Sequence, residues 1–504
     1  MKSLLGPKNK KRMAPMAPGA WPLIGHLRAF DNGEPSHVTF GAMADVLGPV
    51  FMTKLGSINL MMISSQEVAK EIYTVHDKVL NRPTVTASKV LGYNDSFLSF
   101  SPERSYWREM RKISVSEILS TAVVDMQCSR AGEVEVTLRD LYRKWEQKGG
   151  PKNGVLVDMR QEFHDLIQNI SLMMVAGKRY FGGSPNCDTG EARRCRKLIR
   201  EFLDSFGVFL FTDHVPCLGW LDWRTKKGMK RTASELDKIV EAWVEEHKKR
   251  TNSGGDINKT FLGRLIEIFE QHKNQGLGDA HTTTKALCLN LVLSGPEAAT
   301  VVLIWAVSLL VNDPHVLSKA QEELNRKIGK DRVVEESDLK DLVYIQAILK
   351  ETFRLYPPLT LTGYRDVMED FNISNGNFHV PAGTQLLVNA WKMHRDPKLW
   401  SNPEEFEPER FLTLNREVDV SGQSYKFFPF GLGRKACPAI PLGMRMVHYV
   451  LARFLHSFDV ARPSSQEVDM TGNNGLVNLK ATPLEVFITP RLNRSLYHME
   501  SDQA

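Results

Sequence analysis

A single cysteine lies in a glycine-rich loop that runs from Phe427 to Pro438 and ends directly before a helical stretch. Gly431 and Gly433 let the backbone turn tightly, and the amides at the start of the next helix can stabilise negative charge on the sulfur of Cys437. A thiolate held in this way is suited to bind a metal ion. The residue type alone favours the alternative of a buried, inert cysteine. The rest of the loop decides between the two.

The loop resembles the haem-binding loop of the cytochrome P450 superfamily, in which Phe, Gly, Arg, Cys and Gly recur at fixed spacing. Phe430, Gly433 and Cys437 match that pattern, whereas Lys435 replaces the usual Arg and Ala439 the final Gly. The resemblance implies a bound haem b with Cys437 as the axial iron ligand and Phe430 shielding the sulfur. It also implies a mainly α fold, with a large helical domain and a small β-rich subdomain. Because lysine lacks the bidentate fork of arginine, we expect Lys435 to hold a haem propionate more weakly.

A second sequence element supports the same resemblance. Glu351 and Arg354 lie three residues apart in a predicted helix, on one face, where they can pair. Taken alone, they would be interpreted as an exposed ion pair that contributes little to stability. The stretch 408–411, which contains Arg410, is the other constant element of the superfamily. The resemblance therefore implies a buried network of Glu351, Arg354 and Arg410 beneath the cysteine loop.

Four side chains are candidates to receive the haem propionates, namely Trp107, Arg111, Arg365 and Lys435. Arginine suits a carboxylate because its planar fork binds both oxygens. Any single arginine is more often a solvated surface charge. The order and flanking residues of these positions resemble the plant microsomal members, and on that basis we assign Arg111 and Arg365 to the propionates.

The long apolar helix predicted from Thr282 to Asn312 departs from the family pattern of small residue, Gly, any residue, acid, Thr. The acid is kept as Glu297, our candidate for a proton relay, but Ala298 occupies the threonine position. In the family that hydroxyl helps to deliver the protons that cleave the O–O bond. Three explanations are open. The substrate supplies the missing hydrogen bond, a water linked to Glu297 near the kink at Pro296 supplies it, or the oxygen chemistry differs.

Four segments should meet above the haem and form the substrate pocket, namely 87–100, 202–211, 289–299 and 360–364. The predicted lining residues are Phe97, Phe100, Phe206, Phe209 and Leu361. At helical spacing such aromatic residues more often belong to the core than to a ligand site. The stretch 206–223 is also rich in apolar residues that could dip into a membrane surface.

Further stretches resemble the 82 family of plant cytochromes P450, whose members oxidise alkaloids, terpenoids and phenolic compounds. They are residues 90–93, 106–112, 395–400 and 478–483. The resemblance implies a haem-thiolate monooxygenase that oxidises a small apolar plant metabolite, with an alkaloid favoured, and that receives electrons from NADPH through a flavoprotein reductase. Arg108, Lys112, Arg434 and Lys435 are candidates for a basic face that receives the reductase.

Two other functions stay open at the level of the sequence. The first is an atypical haem-thiolate enzyme that catalyses oxidative ring closure, rearrangement or C–C cleavage because of Ala298. The second is a catalytically silent haem-binding scaffold. Glu297 and the paired residues Glu351 and Arg354 argue mildly against the second.

Composition favours one large helical domain, which we place at residues 26–495. The 504 residues have no low-complexity linker, and 42% of them are hydrophobic. The six cysteines form no CxxC pair, which indicates a reducing environment without a zinc site. A net charge of +6 is too mild and dispersed to indicate nucleic-acid binding. Helices are also predicted at 315–327 and 343–356, and short strands at 378–381 and 385–388.

Both termini are expected to lie outside the catalytic domain. Residues 1–25 contain a basic cluster followed by a proline-rich stretch, and no window there reaches the roughly 20 apolar residues needed to span a bilayer. In microsomal relatives such a hinge follows a membrane anchor, so we expect an absent anchor and a place on the cytosolic face of the endoplasmic reticulum membrane. A soluble form is the alternative. Residues 496–504 are predicted to be a tail, and the protein to be a monomer.

Overall fold

The structure, a computed structural model, describes residues 12–30, 33–102, 105–119, 127–150, 152, 154–182, 190–252, 260–271, 279–374, 376–473, 475 and 477–498. Its α-helices are α1 (Ser36–Leu47), α2 (Gln66–Val75), α3 (Thr86–Leu91), α4 (Ser105–Ile113), α5 (Gln127–Gln147), α6 (Met159–Ala176), α7 (Gly190–Phe206), α8 (Phe211–His214), α9 (Trp223–Asn252), α10 (Phe261–Gln271), α11 (Ala280–Asn312), α12 (Pro314–Lys327), α13 (Val343–Leu355), α14 (Ala390–Met393) and α15 (Ile440–Ser457). Its strands are β1 (Val50–Leu55), β2 (Ile58–Ile63), β3 (Leu80–Asn81), β4 (Val155–Asp158), β5 (Arg365–Val367), β6 (Phe371–Ile373), β7 (Phe378–Val380), β8 (Gln385–Val388), β9 (Phe458–Ala461) and β10 (Glu485–Pro490).

The centre of the molecule is α11. It begins after Asp279, whose carboxylate accepts the N–H of Thr282, and it ends at Asp313 because Pro314 starts the next helix. It is apolar and long enough to cross a membrane by composition, but 72% of its most apolar window is buried inside the protein. It packs against α6, α10, α13 and α15. The sequence feature that looks like a membrane span therefore serves as the core helix on which the site is built.

The strands form a small subdomain beside the helices. A five-stranded sheet has the order β1-β2-β8-β5-β3, in which β2 and β8 run parallel and the other neighbours run antiparallel. Both faces of this sheet carry apolar clusters of their own, one around Met61 and one around Phe51. A three-stranded sheet (β4-β10-β9) and a hairpin (β6-β7) complete the strands of the described residues. The predicted division into a large helical part and a small β-rich part is confirmed.

The predicted secondary structure is confirmed with small differences at the ends. The three helices predicted at 282–312, 315–327 and 343–356 correspond to α11, α12 and α13, and the two predicted strands correspond to β7 and β8. Proline fixed the ends of these helices, which is why the boundaries agree so closely.

The predicted domain limits at 25 and 496 do not match the packing. In the described part of the N-terminal segment, Ala14 and Ala17 are buried, and the N–H of Ala17 donates to the carbonyl of Met52 at 2.8 Å. At the other end, Tyr497 is only 4% exposed and its ring stacks on Tyr142 with centroids 4.4 Å apart. Residues 12–25 and 496–498 are thus part of the folded body. Most of the basic cluster at residues 8–12 lies outside the described residues.

Candidate active site

The cysteine loop places the sulfur of Cys437 at the start of α15. The N–H of Cys437 donates to the carbonyl of Phe430 at 2.9 Å and closes the loop. The N–H of Ala439, the residue before α15, donates to Cys437 Sγ at 3.4 Å. The ring of Phe430 lies 5.2 Å from that of Phe353 on α13. The loop is therefore folded around its sulfur and packed on the helix behind it.

Gly433 is required by a close approach in this loop. Its φ is 68°, and a Cβ atom there would lie 2.6 Å from Asp77 Oδ1 and 2.6 Å from a ring carbon of Tyr73. The carboxylate of Asp77 also accepts from Arg434, from its N–H at 3.1 Å and from Nε at 2.8 Å. The turn after α2 thus anchors the loop at the two residues 433 and 434.

Opposing influences act on the charge of the Cys437 sulfur. Burial raises the pKa of the Cys437 thiol, whereas the N–H of Ala439 and the guanidinium groups of Arg111 and Arg82 act in the opposite direction. A thiolate at this position is therefore stabilised by nearby positive charge but costly to bury alone. A cation bound to the sulfur would remove that cost.

Beneath the loop lies a cluster of buried charges, which we call the acid–arginine network. Two hydrogen bonds of 2.8 and 2.7 Å join Arg354 to the carboxylate of Glu351, and Arg410 Nε reaches the same carboxylate at 3.0 Å. All three residues are almost completely buried. The fold brings together the three residues for which the resemblance implies a network. The alternative of an exposed ion pair between Glu351 and Arg354 is excluded.

Nearly every donor of this network has an acceptor. The carboxylate of Glu407 accepts from Arg410 at 3.0 Å, so two acids face two arginines. The remaining donors reach main-chain carbonyls, namely those of His394 (2.8 Å), Pro403 (2.6 Å) and Glu405 (3.0 Å) from Arg354, and that of Ser401 (2.7 Å) from Arg410. The network is balanced in charge and saturated in hydrogen bonds, the condition under which a buried ion pair stabilises a fold.

His394 connects the network to the cysteine loop. Its carbonyl accepts from Arg354, and its ring Nε2 accepts the N–H of Phe428 at 3.2 Å. Burial and the nearby charges of Arg354 and Arg395 lower the pKa of His394 to about 3, so the ring is neutral and can accept a hydrogen bond. The network therefore holds the first residues of the loop through one side chain.

A second group of charges, which we call the cation cluster, lies on the other side of the loop. Arg111 donates to the carbonyl of Ala436 at 2.8 Å, and its guanidinium is 5.6 Å from the centre of the Trp107 ring. Lys435 Nζ is 3.4 Å from the centre of the same ring. Arg82 donates to the carbonyls of Leu98 at 2.6 Å and, more weakly, of Lys435 at 3.4 Å. The fourth cation of the cluster is Arg365 on β5.

The cation cluster is neither balanced nor saturated. No carboxylate of the described residues forms an ion pair with Arg82, Arg111 or Arg365, and the buried atoms Trp107 Nε1 and Arg365 Nε have no hydrogen-bond partner. Burial and the neighbouring charges of Arg365 and Arg111 lower the pKa of Arg82 to about 9. Buried donors of this kind are rare without a ligand, so the cluster is built to receive an anion.

The two propionates of a haem fit this donor set. Arginine and indole N–H groups converge beside the loop that presents a sulfur, and the accumulated positive charge matches a dianion. The sequence identified Trp107, Arg111, Arg365 and Lys435, and the structure brings them together. Sequence reasoning missed Arg82. Its only local signal is a basic residue before Pro83 at the end of a short strand, which is too common to be informative.

One face of α11 is accessible although most of the helix is buried. Ser294 and Gly295 are exposed and Ala298 is partly exposed, although residues on either side of them in α11 are buried. Glu297 is partly buried and forms no hydrogen bond with the described residues. The predicted acid and alanine thus lie at or next to this accessible face of α11.

A side chain of a neighbouring helix bonds to the carbonyl that Pro296 leaves without a helical partner. Proline lacks an N–H, which leaves the carbonyl of Val292 without its helical partner. Gln168 of α6, itself buried, donates to that carbonyl at 3.1 Å. The freed carbonyl therefore already accepts a hydrogen bond from a side chain. Thr300 does not replace the missing hydroxyl, since it is 2% exposed and lies about 200° around the helix from Ala298.

The predicted pocket residues separate into three groups. Phe100 and Phe206 stack with centroids 4.0 Å apart and are partly exposed, as expected of a wall. Phe97 has no exposed surface and belongs to the core. Phe209 is 40% exposed and stacks on His214 at 4.7 Å, whereas Leu361 packs against the small sheet. The core interpretation is correct for Phe97, and the lining interpretation best fits the stacked pair.

A strained turn precedes this wall. Tyr93, Asn94 and Asp95 all have positive φ, between 50° and 66°, which costs roughly 1–2 kcal/mol for each such residue. Tyr93 Oη donates to Asp237 of α9 at 2.7 Å, and Asp95 accepts from the Ser88 hydroxyl. These contacts fix the turn, and with it the course of the chain toward Phe100.

The predicted basic face for a reductase is smaller than expected. Arg108 and Lys112 are exposed on α4. Lys435 is only 6% exposed and lies over Trp107, so it does not contribute to the surface. Arg434 is partly exposed and paired with Asp77. The prediction for Lys435 as a surface residue is wrong because its ammonium group is held against the ring of Trp107.

Comparison with known proteins agrees with this geometry. The strychnine-10-hydroxylase of Strychnos nux-vomica is 43% identical over 99% of this chain and 95% of its own length. The xanthotoxin 5-hydroxylase CYP82C4 of Arabidopsis thaliana is 44% identical over 97% of this chain and 95% of its own. The predicted resemblance to the 82 family of plants is confirmed.

The fold has a counterpart among solved structures. A zebrafish cytochrome P450 solved with progesterone superposes with a TM-score of 0.75 at 22% identity, and the match covers 91% of this chain and all of the other. The family model for cytochrome P450 matches residues 15–486, a span that contains the cysteine loop, the acid–arginine network and the cation cluster. The chain is therefore a member of the cytochrome P450 family.

Proposed function

We propose that this protein is a haem-thiolate monooxygenase that oxidises a small, mostly apolar plant specialised metabolite. The observation that carries the proposal is the contact of the Cys437 loop with Arg111 and Arg82 of the cation cluster, where the buried Trp107 Nε1 and Arg365 Nε have no hydrogen-bond partner among the described residues. One side supplies a thiolate and the other an anion site, and haem is the cofactor of the family that needs both.

Each residue has a defined task in this proposal. Cys437 would bind the haem iron through its sulfur, the N–H of Ala439 would stabilise the charge of that sulfur, and Phe430 would cover it. The propionates are held by the cation cluster and by Trp107 Nε1. When bound, haem supplies an iron centre that activates dioxygen with electrons from NADPH, delivered by a flavoprotein reductase.

On α11, Glu297 is the proposed proton relay, and Ala298 lacks the hydroxyl of the threonine that the family pattern has at this position. With the carbonyl of Val292 occupied by Gln168 and Thr300 facing away, we favour the substrate or a water held elsewhere as the source of that hydrogen bond. Restoring the hydroxyl in Ala298→Thr should then change the ratio of product to NADPH consumed by less than about 3-fold. Ala299→Thr is the matched control. A large gain in coupled turnover would show that Ala298 impairs the enzyme.

The substrate is proposed to be an alkaloid, with terpenoids and phenolics as further members of a test panel. The relatives named for strychnine and xanthotoxin show that this branch accepts ring systems of more than one class. Ala298 favours one second candidate, oxidative ring closure, rearrangement or C–C cleavage. Product analysis with labelled dioxygen separates hydroxylation from these reactions, because only a hydroxylated product must keep the label.

The proposed location is the cytosolic face of the endoplasmic reticulum. Trp220, Leu221 and Trp223 are exposed between α8 and α9, where a membrane surface would cover them. Arg108 and Lys112 are the described cations that we retain for contact with the reductase.

The deciding experiment is the absorption spectrum of the dithionite-reduced, carbon monoxide-bound protein. A far red-shifted Soret band is expected for the native chain and for Cys217→Ser, which removes an exposed cysteine. The band should be lost in Cys437→Ser. A native spectrum without that band, or haem-loaded protein that consumes no NADPH with any compound of the panel, would favour the silent scaffold.

A further inference from the structure

A polar cluster lies on the accessible face of α11. The amide nitrogen of Asn290 donates to Ser294 Oγ at 2.6 Å and to Ser99 Oγ at 2.7 Å, and its oxygen accepts the N–H of Ser99 at 3.0 Å. Because a main-chain N–H can only donate, this contact fixes the orientation of the amide. Asn290 is 6% exposed, whereas Ser294 is exposed.

A count of hydrogens leaves one donor unused. Both amide hydrogens of Asn290 are spent on the two serine oxygens, so each serine hydroxyl must direct its own hydrogen elsewhere. The two hydroxyls are 3.4 Å apart, which allows one weak bond between them. Within the described residues neither has another partner. At least one O–H is therefore available to a ligand, and Ser294 is the more exposed of the two.

The position of this donor relates it to the reaction. Ser294 lies four residues before Ala298 and therefore on the same face of α11, one helical turn away. The stacked rings of Phe100 and Phe206 stand nearby, since Phe100 follows Ser99. A ligand against this wall meets aromatic surface and a single fixed hydroxyl.

We propose that the Ser294 hydroxyl, positioned by Asn290 and Ser99, selects substrates with a neutral hydrogen-bond acceptor such as a carbonyl or ether oxygen on an apolar ring system. All three side chains are neutral, so the cluster offers a hydrogen bond without the charge that a carboxylate would need. This inference rests on the proposed function and names a feature of its substrate. Ser294 is a specificity residue, and Asn290 is a positioning residue.

The test measures binding of matched pairs to the haem-loaded ferric protein by calorimetry. The pairs are 1-tetralone and tetralin, 1-indanone and indane, and fluorenone and fluorene, in which only the first member carries a hydrogen-bond acceptor. For at least one pair, the ratio of the two dissociation constants should change about 5- to 10-fold against the carbonyl compound in Ser294→Ala. Asn290→Leu should produce a similar change, and Ser294→Thr, which keeps a hydroxyl, should retain the native ratio.

The control is Ser308→Ala on the same helix, whose buried hydroxyl bonds to the carbonyl of Ile304. It should leave every ratio unchanged. Native protein that binds none of the carbonyl compounds, or ratios that stay within about 2-fold in Ser294→Ala, overturns the proposal. The carbon monoxide spectrum of the same preparations separates this failure from that of the proposed function, because the preference does not depend on turnover.

Discussion

Two groups of buried arginines flank the cysteine loop, and they differ in how their charges are satisfied. In the acid–arginine network, Arg354 and Arg410 face the carboxylates of Glu351 and Glu407. In the cation cluster, Arg82, Arg111 and Arg365 have no carboxylate partner among the described residues, and the buried Nε of Arg365 has no hydrogen-bond partner there.

The difference separates folding from binding. A saturated, charge-balanced group stabilises the chain by itself, because each buried charge finds its complement within the protein. An open, cationic group destabilises the chain until an anion arrives, and the lowered pKa of Arg82 expresses that cost. Two sets of the same residue type therefore have opposite tasks within one site.

The largest expected effect comes from breaking the balanced group. Glu351→Gln leaves the guanidinium groups of Arg354 and Arg410 without their shared carboxylate, so we expect a loss of about 3–5 kcal/mol in the free energy of unfolding. Thermal and urea unfolding followed by circular dichroism measure it. Glu245→Gln breaks the exposed pair with Lys248 and should cost less than about 0.5 kcal/mol. Equal effects of the two variants would refute the distinction.

A smaller effect is expected in the open group, and on a different quantity. Arg365→Leu removes an open donor, so haem should be lost about 10-fold faster to excess apomyoglobin, while the haem-free protein should unfold no more easily than the native chain. Arg130→Leu is the matched control, because Arg130 is equally buried but paired with Glu336 at 2.8 Å. Arg130→Leu should lower the unfolding midpoint of the haem-free protein, which Arg365→Leu should not. Destabilised haem-free protein in Arg365→Leu would mean that both groups serve the fold.

The sequence predicts the balanced group better than the open one, for a physical reason. Glu351 and Arg354 lie on one helical face, and Arg410 follows in a recognisable stretch, so pattern and resemblance were sufficient. Arg82 joins the cation cluster only through tertiary packing, by contact with the carbonyl of Lys435, and no local pattern encodes that contact.

Contacts made by tertiary packing were equally hidden around α11. Helix ends were predictable because proline acts locally, and Ala298 was visible as a departure from a motif. The hydrogen bond from Gln168 to the carbonyl of Val292 was not predictable, because the two residues lie 124 positions apart in the chain. The depth of Lys435 was also hidden, since charge alone predicts a surface position.

The smallest expected effect sharpens the comparison at one of the two departures from the family loop, Lys435. Lys435 brings a point charge to the cation cluster and lies against the ring of Trp107. Lys435→Arg replaces a point charge by a planar fork that can bind both oxygens of a carboxylate, so haem loss should slow by about 2- to 5-fold. Unfolding of the haem-free protein should be unchanged or slightly easier, because the fork finds no carboxylate there. Lys426→Arg, a lysine 4.8 Å from the ring of Trp400 and outside the cluster, should leave haem loss as it is. If Lys435→Arg stabilised the haem-free chain without slowing haem loss, the cluster would act as part of the fold, and the contrast between the two arginine groups would not hold.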